Sequence, residues 1–145
     1  MKKIKTALCS FGMSGWVFHA PFIHSHEGFE LYAVWERSKK LALEKYADII
    51  SYATYEELLN DAAIDLIVVN TPNYTHFDLA KKALLAGKHV VVEKPFTITV
   101  AEGEELIALA KENNRLISVY QNRRYDSDYL TIQDVFNKKL LGELV

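Results

Sequence analysis

The chain has 145 residues, 50% of them hydrophobic and 25% charged, with 17 Lys+Arg against 19 Asp+Glu for a net charge of −2. That is one domain of ordinary soluble, globular composition, large enough to remove roughly two-thirds of its unfolded surface from water. Near-neutral charge without a dense basic cluster argues against a nucleic-acid surface, and apolar runs no longer than a strand, such as Leu66-Ile67-Val68-Val69, argue against a membrane span.

In chain order, the basic start Met1-Lys2-Lys3-Ile4-Lys5 runs directly into a strand-like stretch with no small-residue cleavage site, so no signal peptide is expected. The strand candidates are Ile4–Ser10, Glu30–Trp35, Ile49–Tyr52, Asp65–Asn70, His89–Glu93 and Leu116–Tyr120. Several are apolar at consecutive positions, the pattern of strands covered on both faces. The only cysteine, Cys9, falls inside the first strand; it reads as a small buried hydrophobe, and the lack of a possible internal disulfide fits a reducing, cytoplasmic setting. Between the strands, Thr54-Tyr55-Glu56-Glu57 is a capping box that opens a short helix through Leu59, and Thr99-Val100-Ala101-Glu102 opens another to about Asn113. Asn73 or Thr75 starts a helix whose apolar face includes Leu79, Ala83 and Ala86, with Gly87 at the C-cap position. Repeated strand–helix–strand units imply right-handed crossovers, hence an α/β domain with a doubly wound, mainly parallel sheet. After Tyr120 the chain turns polar, and a further helix is expected from about Ser127 to Lys139, followed by the start of an apolar segment at Gly142-Glu143-Leu144-Val145. Residues 1–145 therefore read as one doubly wound α/β domain, with about 121–145 connecting to a second domain outside this chain.

The turn after the first strand is Ser10-Phe11-Gly12-Met13-Ser14-Gly15. Dinucleotide folds use glycines here for a tight turn, for backbone approach to the pyrophosphate, and for helix-to-strand contact. The second and third are present as Gly12 and Gly15, while Ser10 stands in the first place, so a glycine-bearing turn without a ligand stays open at this point. Glu36 lies 21 residues past Gly15, where an acidic side chain holds the adenosine ribose hydroxyl of NAD. Arg37, Ser38 and Lys39 follow at once, and a guanidinium there favours the 2′-phosphate of NADP. NADP is the preferred reading, NAD the other. Lys94 follows a buried apolar strand, so a rigid element positions its ammonium and partial desolvation is expected, conditions that suit a lysine to proton transfer.

Four stretches carry a family resemblance. They are Gly12-Met13-Ser14-Gly15 with Phe18-His19-Ala20-Pro21, Thr71-Pro72-Asn73 with His76, Ala86-Gly87-Lys88-His89, and Glu93-Lys94-Pro95. Over essentially its whole length the chain resembles the glucose–fructose oxidoreductase / inositol dehydrogenase (Gfo/Idh/MocA) family. Asn122-Arg123-Arg124-Tyr125-Asp126-Ser127-Asp128 resembles in particular its NADP-dependent scyllo-inositol dehydrogenase-like branch. The resemblance implies an NAD(P)-binding Rossmann fold and hydride transfer between a nicotinamide cofactor and a hydroxyl-bearing carbon of a sugar or polyol. It gives Lys94 the contact with the reacting hydroxyl. Phe11, Gly12, Met13 and Ser14 go to the pyrophosphate turn, and Glu36, Arg37 and Ser38 to the adenosine ribose. Thr71, Pro72, Asn73, His76 and Glu93, with Asn122 nearby, go to the nicotinamide side. An aspartate and a histidine that complete the family's catalytic set would lie in the second domain, and the full-length protein would form homo-oligomers.

Other readings were weighed beside this one. His19, His24 and His26 are close in sequence, but with no H-E-x-x-H spacing and no cysteine partner a metal site is not expected. His89 reads as a core or strand-edge histidine, His76 as either a helix cap or a pocket residue, and Arg123 and Arg124 equally as binders of phosphate or substrate or as surface partners of Asp126 or Asp128. A non-catalytic dinucleotide-binding regulator is the alternative function; an intact Glu93-Lys94-Pro95 favours the enzyme. A methyltransferase shares the glycine turn but leaves both the Thr71-Pro72-Asn73 and Glu93-Lys94-Pro95 clusters without a purpose.

Overall fold

A computed structural model describes residues 2–143. Its strands are β1 (Ile4–Leu8), β2 (Phe29–Trp35), β3 (Ile50–Tyr52), β4 (Leu66–Val69), β5 (His89–Val92) and β6 (Ile117–Val119). All pair in parallel, in the order β3-β2-β1-β4-β5-β6, so the direction of winding reverses between β1 and β4, where dinucleotide folds bind their ligand. Register sets Leu8 beside Val34 and Val68, and Val69 beside Val92. The residues that leave β1, β2, β4 and β5 therefore emerge along one edge.

The period-2 alternation of strands divides the core. Ala7, Ile67, Val69, Val90 and Val92 face α3 (Tyr55–Asn60), α4 (His76–Leu85) and α5 (Val100–Glu112), which bury Leu58, Ala80, Ala83, Leu84 and Leu106 against them. Leu8, Val34 and Val68 point the other way and meet Ala20 of α1 (Ala20–Ser25) and Ala42 of α2 (Leu41–Lys45). Cys9 is buried in the first of these layers, its thiol pushed up to about 12 by burial. α6 (Ser127–Asn137) follows β6 and buries none of its residues.

Both capping boxes form: the Thr54 hydroxyl accepts the Glu57 amide and the Thr99 hydroxyl the Glu102 amide, with each glutamate returning to its N-cap backbone. Gly87 closes α4 at φ 74°, a left-handed conformation that suits glycine. Several expected strands end one or two residues earlier in the structure, although the Glu93 and Tyr120 amides still donate to Val69 O and Val92 O of the neighbouring strands. Of the expected apolar face of α4, Leu79 and Ala83 pack against the core together with Ala80 and Leu84, while Ala86 is exposed because α4 ends at Leu85; Asn73–Thr75 form a tight 3₁₀ turn before the helix. The first helix differs more: Ser14–His19 is π-helical and continues into α1. Among the described residues no helix is long and apolar enough to cross a membrane.

Candidate cofactor-binding site

Two clefts open along the strand edge, one on either side of the glycine turn. The first, of 620 Å³, is lined by Phe11, Gly12, Glu36, Arg37, Ser38, Lys39, Thr71, Pro72 and Tyr74. The second, of 340 Å³, is lined by Met13, Ser14, Phe18, Asn70, Thr71, Glu93, Lys94, Asn122 and Arg123. Thr71 reaches both. Most of the residues assigned from the sequence thus meet in two adjoining spaces: Glu36, Arg37 and Ser38 line the first, Glu93, Lys94 and Asn122 the second, the glycine-turn residues divide between them, and Pro72, expected at the nicotinamide end, lines the first. Asn73 and His76 line neither.

The turn shows two glycines doing different work. A Cβ on Gly12 would make only ordinary contact, 3.5 Å from Ser10 Oγ, so the backbone there is open to close approach. A Cβ on Gly15 would stand 2.2 Å from Ser10 O and 2.9 Å from Asn70 Nδ2, so this glycine exists to let the helix start press against the turn. Asn70, which was not singled out from the sequence, holds the turn from β4: its Nδ2 donates to Ser10 O at 2.9 Å. Since a carbonyl oxygen only accepts, the amide orientation is fixed. Its Oδ1 is buried and has no partner among the described residues. An open glycine and an orphaned acceptor in one turn fit a ligand with both charge and donors. The available signal for Asn70 was its polarity at the end of the apolar strand Leu66–Val69.

Three assigned side chains have tertiary partners that the sequence did not foretell. Glu36 is buried: both carboxylate oxygens accept the Ala42 amide at 3.3 Å, and Oε2 also accepts the Ser51 hydroxyl at 3.2 Å. It caps the short helix α2 from behind, while Arg37, Ser38 and Lys39 stay exposed at the cleft. His76 is 1% exposed, with Nδ1 2.9 Å from Pro95 O and Nε2 2.9 Å from Thr71 O. It ties the exits of β4 and β5 together and does not line the pocket, which corrects its assignment to the cofactor. Glu93 turns its carboxylate to the first helix, where Oε1 accepts Ser14 Oγ at 2.7 Å and His19 Nε2 at 2.9 Å; Oε2 accepts the Lys94 amide at 3.1 Å. Burial works to raise the Glu93 carboxyl, but these hydrogen bonds together outweigh it and hold it below its ordinary value. Burial also lowers His19, against the opposing pull of Glu93.

Lys94 itself is exposed. The expected partial desolvation is not supplied by β5, whose burial ends before the lysine. The Lys94–Pro95 peptide is cis. Arg123 pairs with Asp126 at 2.7 Å at the surface. His24 and His26 pack on Tyr46 and Phe29, and among the described residues no group of three or more His, Cys, Asp or Glu gathers to hold a metal ion.

Known proteins share this sequence and fold. Residues 4–121 match the Gfo/Idh/MocA family profile, described as an oxidoreductase family with an NAD-binding Rossmann fold. An uncharacterized oxidoreductase from Schizosaccharomyces pombe is 43% identical over all of this chain and 41% of its own length. A scyllo-inositol 2-dehydrogenase (NADP(+)) from Bacillus subtilis is 39% identical over 97% of this chain and 38% of its own. The crystal structure of an oxidoreductase from Bacteroides fragilis superposes with a TM-score of 0.91 at 57% identity, covering all of this chain and 45% of that one. The chain spans about two-fifths of the length of the curated relatives it matches. With the parallel sheet, the glycine turn and the two clefts in place, the chain belongs to the Gfo/Idh/MocA oxidoreductase family and forms its NAD(P)-binding Rossmann domain.

Proposed function

We propose that the chain is the cofactor-binding half of an NADP-dependent oxidoreductase acting on a hydroxyl-bearing carbon of a sugar or polyol. The observation that carries the cofactor choice is the inward turn of Glu36. A ribose 2′-hydroxyl needs a carboxylate facing the cleft, but both oxygens of Glu36 are committed to Ala42 and Ser51. Beside Glu36, Arg37, Ser38 and Lys39 stand exposed at the same cleft and suit a phosphate. Gly12 lets the backbone approach the pyrophosphate, and Thr71, Lys94 and Asn122 border the space for the nicotinamide.

The nicotinamide ring, when bound, supplies or accepts the hydride. Lys94 takes the proton from the hydroxyl on oxidation and returns it on reduction. Its exposure in this chain supports a second, following domain that covers it, carries the substrate and adds the remaining catalytic side chains. The likeness to a scyllo-inositol 2-dehydrogenase supports a cyclitol-like substrate.

The test is nicotinamide-coupled turnover by the full-length protein with a panel of sugars and cyclitols that includes scyllo-inositol. Lys94→Ala is expected to abolish turnover while leaving NADP+ affinity nearly unchanged. Undiminished turnover by this variant would overturn the assignment, and NADP+ binding without turnover of any panel member would favour the regulator reading.

A further inference from the structure

Glu93 sits one residue before Lys94, yet its carboxylate makes no use of the cleft it borders. One oxygen, Oε1, accepts from residues 79 and 74 positions earlier in the chain, Ser14 and His19. The other is held by the Lys94 amide. Carboxylate oxygens only accept, so the His19 Nε2 must carry the proton that points at Glu93. The His19 side chain is 3% exposed and that of Glu93 13%, so water competes little for these bonds.

Local backbone geometry makes the double contact possible. Ser14 and His19 are five residues apart, and on an α-helix five residues turn side chains about 140° away from each other. The i→i+5 repeat of the π-helical Ser14–His19 segment brings them toward one face. A third strand secures the same segment: the Tyr120 hydroxyl, just past β6, donates to Phe18 O at 2.8 Å, and its ring lies 4.2 Å from the His19 ring.

We propose that Glu93 is a positioning residue, a clamp that locks the glycine turn to the strand exit carrying Lys94 through Ser14 and His19. The pyrophosphate-holding turn and the nicotinamide-holding loop then move as one body, and the distance between them is fixed before the cofactor arrives. The inference rests on the cofactor reading above. Releasing the clamp loosens the turn against Lys94 while leaving the β2 end of the site intact. Displacements near 1 Å in such sites can cost about a hundredfold in rate.

The experiment is calorimetric titration with two probes: NADP+, which needs both ends of the site, and 2′-AMP, which needs only the β2 end. The variants are Glu93→Gln, His19→Leu and His19→Gln, the last of which keeps a donor near the position of Nε2. Glu93→Gln and His19→Leu are expected to weaken NADP+ by tenfold or more with 2′-AMP unchanged, and His19→Gln to recover most of the affinity. In the full-length protein the same two variants should lower kcat as well as raise KM for the cofactor. Unchanged NADP+ affinity in both variants overturns the clamp and leaves the cofactor reading standing. An equal fall in 2′-AMP affinity also overturns it, because the damage would be general. If the unsubstituted protein binds no NADP+, the cofactor reading fails and the clamp with it. Should His19→Leu not fold, Ser14→Ala, which removes the other donor at a half-buried position, carries the same comparison.

Discussion

Replacing the two glycines of the turn separately distinguishes packing from ligand approach. In Gly15→Ala the new methyl would lie 2.2 Å from Ser10 O and 2.9 Å from Asn70 Nδ2, where ordinary contact begins at 3.4 Å. The nearer neighbour is backbone, so the turn itself must open by more than 1 Å. Overpacking of that kind costs about 1–3 kcal/mol, which in a domain of this size lowers Tm by roughly 3–12 °C. In Gly12→Ala the methyl meets only Ser10 Oγ at 3.5 Å, and Gly12 does not adopt a positive φ. Its Tm is expected to stay within about 2 °C of the parent, while NADP+ affinity falls by about tenfold or more because the methyl stands where the pyrophosphate approaches. Thermal unfolding by circular dichroism and calorimetric NADP+ titration read the two effects. Equal destabilisation by both substitutions, or full NADP+ affinity in Gly12→Ala, would refute the division of roles.

Other consequences are equally open to measurement. Arg37→Ala should weaken NADP+ by roughly ten- to a hundredfold, the worth of a hydrogen bond to a charged group, and leave NAD+ unaltered; a parallel loss for both cofactors would contradict the 2′-phosphate role. Leu106→Ala removes a fully buried side chain that α5 sets against the sheet, so chemical denaturation should show a loss of about 2–5 kcal/mol, and a cost under about 1 kcal/mol would contradict the packing. Acid should destabilise the fold in two stages. Burial lowers His19 from 6.5, and hydrogen bonding holds Glu93 below 4.5, so at each group the unfolded chain binds more protons than the folded one. Stability is then full above 6.5, falls as pH drops from there through the lowered His19 value, and falls again below 4.5 as Glu93 protonates. His19→Gln should flatten the first stage in a series of Tm measurements against pH, and an unchanged profile would refute the assignment.

What the sequence made legible was local. Thr54 with Glu57 and Thr99 with Glu102 are complete within four residues, and both form as read. The strand cores around Ala7, Val68 and Val91 were legible from apolar runs that need no partner to be recognised. The glycine turn and Lys94 lie along the same edge because the parallel sheet sends its strand exits there. Side-chain direction was another matter. Glu36 is turned inward by Ser51 and the α2 amide, Glu93 by Ser14 and His19, and His76 by the carbonyls of Thr71 and Pro95. Each partner lies on another element, so the residue type and its strand-end position said where the group would be, not what it would face. The π-helical Ser14–His19 was equally hidden, since Trp16, Val17 and Phe18 make the same apolar pattern in either helix. Ala86 was misplaced because α4 stops at Leu85 and the chain leaves the helix there toward Gly87.

The most direct test of the account is calorimetric titration of the chain with NADP+ and NAD+ side by side. With Glu36 committed to Ala42 and Ser51 and with Arg37, Ser38 and Lys39 at the cleft, NADP+ should bind at least about tenfold more tightly, a difference near 1.4 kcal/mol. Equal affinity for the two, or preference for NAD+, would return the β2 end to Glu36 and contradict the account.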